Sequence, residues 1–384
     1  MRNILLFALL FTLGITGCSA KPALDTTSVV AEQKMLSWDE MEPTGQLPLA
    51  YAKQFQVDRY EGGYDLIQIS EVGKYLTIPE NGAVPQDLPS DITVLQKPLD
   101  HIYLAATAAM DLVAGIDETS RVTLSSLQPE GWYIDAAKEA MERGKMTYAG
   151  KYSAPDYELL IEEGCDLALE SSMIYHSPEV KEQLEKIGIP VLVERSSYES
   201  DPLARMEWIK LYGVLFDEEE RANARFEEEL SGLDGLLDQP QTGKTAAFFY
   251  VTSKGVISVR KSGDYVAKMI DLAGGTYVPQ GLGNENALST MNLQMEEFYD
   301  KARDADFLIY SGTIDGGIKS IDQLIDKNPL FADFRAVKEG KVWGTQKNMY
   351  QETLGIGAMI QDFHRLFSEE TPDPSQMTYL YPIQ

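Results

Sequence analysis

Residues 165–197 read CDLALESSMIYHSPEVKEQLEKIGIPVLVERSS. A short apolar run, CDLALE, ends in serines. A polar loop carrying His176 follows, then VKEQLEKIGI repeats apolar residues at helical spacing and stops at Gly188, and IPVLVE is a second apolar run. Short apolar runs bounded by polar loops fit strands buried on both faces, and a helix between two of them is the crossover that parallel strands require. The stretch is a strand–loop–helix–strand unit.

The same rhythm extends in both directions. Upstream, IYLAAT leads into AAMDLVAGI, RVTLSS into GWYIDAAKEAMERG, and MTYAG into PDYELLIEEG. Downstream, residues 201–238 are purely helical in pattern, with DEEERANARFEEEL placing Glu218, Glu219 and Glu220 in a first turn, where they favour the helix dipole. Past Gln239-Pro240 the strand–helix alternation resumes with TAAFFYVTS, VISVRKSGDYVAKMIDLAGG, DADFLIYSGT, KVWGTQ and a closing helix over about 355–367. The pattern predicts an α/β protein with two Rossmann-like lobes. Its expected organisation is a leader over 1–17, a flexible tether over 18–50, a first lobe over 51–203, a linking helical segment over 204–238 and a second lobe over 239–384. The first lobe begins with a β-hairpin extension, where FQVDRYEGGYDLIQIS sets GG between alternating runs.

The leader, MRNILLFALLFTLGITG, has one basic residue and an apolar core too short for the about twenty residues of a spanning helix, so it is a secretory signal. It ends at Ile15-Thr16-Gly17-Cys18, similar to a lipobox, which makes Cys18 the expected lipidation site and the membrane a partner through a lipid anchor. Cys165 is then the one remaining thiol, expected in the core and without a disulfide. A formal charge of −27 excludes nucleic acid and anionic membrane surfaces as partners, since both are polyanions.

Catalytic and metal signatures are missing from the sequence. TGKT at 242–245 has Asp238 where a phosphate loop needs glycine, and it precedes a strand instead of following one. There is no G-x-S-x-G and no H-E-x-x-H. The three histidines, His101, His176 and His364, are scattered, so neither a three-histidine metal site nor a resident cofactor is expected. Ligands of parallel α/β sheets bind outside the carboxyl ends of the strands. In this chain the segments after the strands are rich in Tyr, Arg and Lys, which supply flat apolar faces and pairing for anions. Candidate contacts are Trp132, Lys151, Tyr152, Met173, Tyr175, His176, Arg195 and Tyr198 from the first lobe, and Arg260, Lys261, Tyr265, Tyr310 and Tyr350 from the second.

YAGKYSAPDYELLIEEGCDLAL, PEVKEQLEKIGIPVLVE, RKSGDYVAKMIDLAGG and NPLFADFRAVKEGKVW, in this order and with the lipobox-like Cys18, make the chain resemble the cluster A (class III) substrate-binding lipoproteins of bacterial ABC importers. The resemblance spans about Tyr51 to Phe367. It implies two lobes joined by a single long rigid helix, a metal chelate such as an iron–siderophore in the cleft, no catalysis, and a monomer serving an ABC permease and ATPase. It also implies a docking glutamate on each lobe. Glu179, with Glu182 near it, fits the first, while the corresponding helix of the second lobe carries Asp322 and Asp326 but no glutamate before Glu339. Haem or cobalamin, with His176 as an axial ligand, is the alternative solute. An extracellular enzyme on the same scaffold and a structural adhesin without a ligand are the alternatives outside the class.

Overall fold

The computed structural model describes residues 36–283 and 289–384, and every count of strands and helices is of these residues. The expected leader, Cys18 and the tether as far as residue 35 lie outside them.

The extension is a sheet of five strands: β1 (Pro43–Gln46), β2 (Phe55–Tyr60), β3 (Tyr64–Ile69), β4 (Gly73–Ile78) and β5 (Ile92–Gln96). All neighbours are antiparallel except β4 and β5. The Gly-Gly signal marks the β2–β3 turn: Tyr60 faces Tyr64, and Gly62 and Gly63 take φ of 81° and 82°, where a side chain would be strained. Residues 36–50, assigned to the tether, are instead ordered on this sheet. Ser37 bridges Gln86, and the polar, exposed β1 pairs with β2 through main-chain bonds that leave no apolar period to read.

The first lobe follows with β6 (Ile102–Leu104), β7 (Val122–Ser125), β8 (Thr147–Tyr148), a small hairpin of β9 (Gly150–Lys151) and β10 (Ala154–Pro155), then β11 (Leu167–Ser171) and β12 (Val191–Glu194). Helices α1 (Ala109–Gly115), α2 (Asp135–Glu142), α3 (Tyr157–Glu162) and α4 (Pro178–Lys186) connect them. The main sheet is parallel in the order β12–β11–β6–β7–β8. Strand order therefore reverses between β6 and β11, the position at which such sheets open a crevice. In the opening stretch, Pro178 starts α4 in its first turn, where its missing N–H costs nothing, and Gly188 ends it with φ of 87°. Cys165 is buried in this lobe's core, which pushes its thiol pKa up to about 11.

The linking segment is not one long helix. It consists of α5 (Pro202–Glu207), α6 (Ile209–Phe216) and α7 (Glu219–Ser231). Trp208 keeps right-handed torsions between α5 and α6, but Asp217 adopts φ 61°, which turns the chain so that α7 packs back on α6. Gly213 permits this closeness, because a Cβ there would stand 2.7 Å from that of Ala222. The acidic EEERANARFEEEL run forms α7, with only Ala222 and Phe226 buried.

The second lobe contains β13 (Thr245–Val251), β14 (Ile257–Arg260), β15 (Thr276–Val278), β16 (Thr290–Leu293), β17 (Phe307–Tyr310), β18 (Val342–Thr345) and β19 (Leu380–Pro382). Its helices are α8 (Tyr265–Leu272), α9 (Met295–Ala302), α10 (Ile321–Lys327), α11 (Arg335–Lys338) and α12 (Ile356–Ser368). β15, β13, β17 and β18 run parallel, with β14, β16 and β19 antiparallel to their neighbours. The C-terminal tail, unplaced from sequence, is the edge strand β19. The buried Asp362 carboxylate holds it by accepting the N–H groups of Thr378, Tyr379 and Leu380.

Two sets of contacts fix the parts to one another. Extension residues Ala50, Tyr51 and Ala52 donate their N–H groups to Glu207 on α5 at 2.7–2.8 Å, and Lys53 and Gln54 donate to Glu199. The loop before α12 is tied to the first lobe: Gln351 bonds the main chain of Tyr133 and Gly131, Thr353 that of Ala108, and Asp111 accepts the N–H of Leu354 at 2.7 Å.

Candidate functional site

A cavity of about 550 Å³ opens at the β6–β11 switch point. Its first-lobe wall is Ala105, Ala106, Thr107 and Ala108 after β6, Ser171 and Ser172 at the end of β11, and Glu194, Ser196, Ser197 and Tyr198 at the end of β12. The small residues after β6 leave main chain as the surface. The second lobe supplies Arg260, Asp264, Tyr265, Ser289, Met349, Tyr350, Thr353 and Ile356, and α5 contributes Arg205.

Two guanidinium groups dominate the chemistry. Arg205 lies 3.5 Å from the Tyr265 ring centroid and is aimed by hydrogen bonds to the carbonyls of Ser197 at 2.7 Å and Glu199 at 3.1 Å. Burial lowers its pKa; Tyr265, Asp264 and Glu194 oppose that shift and Arg260 adds to it. Arg260, 15% exposed, donates to the Tyr350 hydroxyl and stands 3.6 Å from Asp264. Burial works against its charge, but Tyr350, Asp264 and Tyr265 outweigh it, so the pKa is raised. Asp264 is not free to neutralise both arginines, since its carboxylate caps α8 by accepting from Val266 at 3.0 Å and also accepts from Ser289 at 3.2 Å. Glu194 is buried, accepts from the Ser196 N–H, and has a pKa raised by desolvation. The cavity thus offers two guanidinium groups, three tyrosines and several hydroxyls, a surface suited to an anionic solute with unsaturated or planar parts.

Of the candidate contacts, the structure brings Tyr198, Arg260, Tyr265 and Tyr350 together on this wall. The others stand elsewhere. Trp132 is fully buried in the core, its indole N–H donating to Ser125 Oγ at 3.0 Å, and Tyr310 is equally buried, donating to Asp315 and packing on Phe249. Trp132, after a short turn, and Tyr310, the last residue of β17, both point their ring inward to fill core volume. Lys151 and Tyr152 belong to the β9–β10 hairpin beside the far edge of the sheet, the first exposed and the second packed on the first-lobe core. Met173, Tyr175 and His176 are exposed on a 3₁₀ turn whose Ile174 points inward. Lys261 is off the wall, its N–H bonded to Ser289. Arg195 turns the other way, to Glu71 of the extension at 2.8 Å.

The residue that sequence reasoning missed is Arg205. Its signal was legible: in PLARMEWIK an arginine sits among apolar residues on a helix buried nearly all round, where a cation needs a purpose. Gln346 and Lys347 line a second cavity, of about 630 Å³, with Tyr133, Lys319 and Thr345. From there the chain passes through Gln351, at the lobe seam, to Thr353 and Ile356 on the first cavity.

Residues 103–349, from β6 to the loop lining the cavity, match the periplasmic binding protein family. The chain belongs to that family. Solved structures share its fold: a periplasmic haem-binding protein of Pseudomonas aeruginosa (TM-score 0.57, 15% identity, 74% of this chain and 98% of that one), and a possible iron-binding periplasmic solute-binding protein of Staphylococcus epidermidis (0.55, 15%, 70% and 99%). An ABC-type Fe³⁺-hydroxamate transport protein of Saccharomonospora viridis shares it too (0.54, 20%, 71% and 94%). Among curated proteins, an uncharacterized lipoprotein of Methanocaldococcus jannaschii is 23% identical over 295 residues, 74% of this chain and 69% of that one. A second from the same organism is 22% identical over 403 residues and matches both chains end to end. The class III architecture expected from sequence is therefore that of this periplasmic binding protein, with its linking segment broken into three helices and a five-stranded sheet added in front. No helix among the described residues is long and apolar enough to cross a membrane.

Proposed function

We propose that this periplasmic binding protein is the lipid-anchored solute receptor of an ABC importer and captures an anionic iron chelate of the siderophore type between its lobes. The observation that carries this is the convergence of Arg205 and Arg260 on the Tyr265 ring, 3.5 and 6.0 Å from its centroid, on the wall of the switch-point cavity. A chain of net charge −27 that nevertheless concentrates two mostly buried cations in one cavity has there a local surface that favours an anionic solute. The iron would arrive already chelated and leave with its chelator, so the protein acts as a carrier and not a catalyst. Haem and cobalamin are less well matched, because His176, the residue that could ligate their metal axially, stands on the exposed turn outside the cavity wall.

Cys18 would carry the lipid, and the permease would meet the exposed Glu179 and Glu182 on α4. Thermal unfolding of the mature protein with a panel of ferric hydroxamates, ferric catecholates, haemin and cobalamin tests the solute class. A ferric siderophore at a hundredfold excess over its Kd should stabilise by about 2.7 kcal/mol, a shift of several degrees. A shift with cobalamin or haemin alone transfers the solute to the tetrapyrroles, and no shift with any member rejects the class.

A further inference from the structure

The added sheet reaches the cavity. Glu71, at φ 57° in the β3–β4 turn, pairs with Arg195 at 2.8 Å, and the Arg195 guanidinium lies 4.0 Å from the ring centroid of Tyr198, which lines the cavity. Arg195 is 6% exposed and its Nε has no hydrogen-bond partner among the described residues, so Glu71 is the carboxylate that offsets this buried charge. Tyr175 is the fourth member: its pKa is raised first by burial and also by Tyr198 and Glu71, against Arg195, which places all four groups within electrostatic reach. Tyr175 and Tyr198 are 45% and 38% exposed, so each keeps a large apolar surface open even with Arg195 against one side of the Tyr198 ring. The extension cannot drift from this position, since Tyr75 on β4 donates its hydroxyl to the Val191 carbonyl of β12 at 2.9 Å, and Glu207 and Glu199 hold its connection to β2.

We infer that Glu71 is a specificity-determining positioning residue: through Arg195 it holds Tyr198 upright as an outer apolar wall, so that the cavity takes amphipathic chelates, anionic group inward on Arg205 and Arg260, apolar face outward on the tyrosine. A guanidinium anchored at one end by a carboxylate presents its flat face to the ring, and loss of the carboxylate frees both. The extension is then part of the binding site and not a spacer. This rests on the solute reading above, and the test has an arm independent of it.

In the full mature chain, Tyr198→Trp places an indole at the wall. Adding Glu71→Gln should move its emission to the red by several nanometres and raise its iodide quenching about twofold. Unchanged emission and quenching overturn the clasp, whatever the solute. With the ferric siderophore that binds in the panel, Glu71→Gln and Tyr198→Ala should each weaken affinity roughly 5- to 10-fold, and the double variant should be no weaker than Tyr198→Ala alone. Ferric citrate, which has no apolar face, should change by less than twofold, a selectivity that general loosening of the fold does not produce. Additive effects, or an equal loss for citrate, overturn the proposal. If nothing in the panel binds the wild type, the solute class fails while the fluorescence arm still decides whether Glu71 holds Tyr198.

Discussion

Arg205 on α5 stands over the ring of Tyr265 on α8, the guanidinium 3.5 Å from the ring centroid, so part of the cavity wall is a contact between the linking segment and the second lobe. The arginine is held by two main-chain carbonyls and lines the cavity. Charge-assisted hydrogen bonds in such a setting contribute about 1.5–3 kcal/mol each. Arg205→Ala and Arg260→Ala are each expected to weaken binding of the ferric siderophore roughly 10- to 150-fold by isothermal titration. Tyr265→Phe, which keeps the ring, should cost less than about threefold. Equal losses for Tyr265→Phe and Arg205→Ala would show that the hydroxyl, not the stacked guanidinium, carries recognition.

Glu207 decides whether the extension stays docked. It is fully buried, accepts three successive N–H groups from Ala50, Tyr51 and Ala52, and pairs with Lys210 at 2.9 Å. Burial alone would raise its pKa, but these bonds together lower it. A folded pKa below the unfolded value means a contribution fully present at neutral pH and lost as pH falls through the lowered folded value. Glu207→Gln leaves Lys210 buried without its charge and should cost about 3 kcal/mol in urea unfolding. It should also open the segment before β2 to proteolysis and flatten the acid limb of the stability curve. Wild-type protease resistance in this variant would sink the docking role.

Sequence reading found what periodicity and punctuation encode, and missed what depends on the direction of a side chain. The runs IYLAAT, CDLALES and IPVLVE became β6, β11 and β12 because apolar runs on both faces leave a buried parallel strand as the consistent solution. Loop residues after a strand have no period, so nothing local says that Trp132 turns into the core while Tyr198 turns to the cavity. Arg195 was misdirected for a different reason: its partner Glu71 lies 124 residues earlier, in an extension whose position no local pattern reveals. Asp217 looked like the start of a helical run and is instead the left-handed residue that breaks it.

Glu179 and His176 lie three residues apart and should separate by function. Glu179 is exposed in the first turn of α4, outside the residues that line the cavity, whereas Tyr175, on the same turn as His176, lies within electrostatic reach of Arg195 and Tyr198. Glu179→Ala, alone and with Glu182→Ala, is expected to leave the solute Kd within twofold and to reduce uptake in cells at least tenfold. Tyr175→Ala should instead raise the Kd about threefold. A Glu179→Ala protein that binds and transports like wild type removes α4 as the permease contact.

Glu170 is a carboxyl without a hydrogen-bond partner among the described residues: it is fully buried on β11 and neither oxygen is bonded. It lies in the part of the first lobe that also holds the Tyr103 and Tyr157 hydroxyls, both of whose pKa values it helps raise, and desolvation pushes its own pKa up to about 8. The sign follows from proton counting. Between the ordinary carboxyl value of 4.5 and about 8, the folded state keeps a proton that the unfolded state has lost, so this group's contribution falls as pH rises across that window. Full ionisation costs a few kcal/mol at about 1.4 kcal/mol per pH unit of displacement. Glu170→Gln cannot ionise and should match wild type near pH 4.5 in urea unfolding, then exceed it progressively toward pH 8. Because the carboxyl is protonated through most of that range, the gain near pH 6 should already be measurable at about 1–2 kcal/mol. A difference independent of pH would mean that a counter-charge or hydrogen-bond donor reaches Glu170 in solution and that the side chain is not the unpaired acid the packing around β11 makes it.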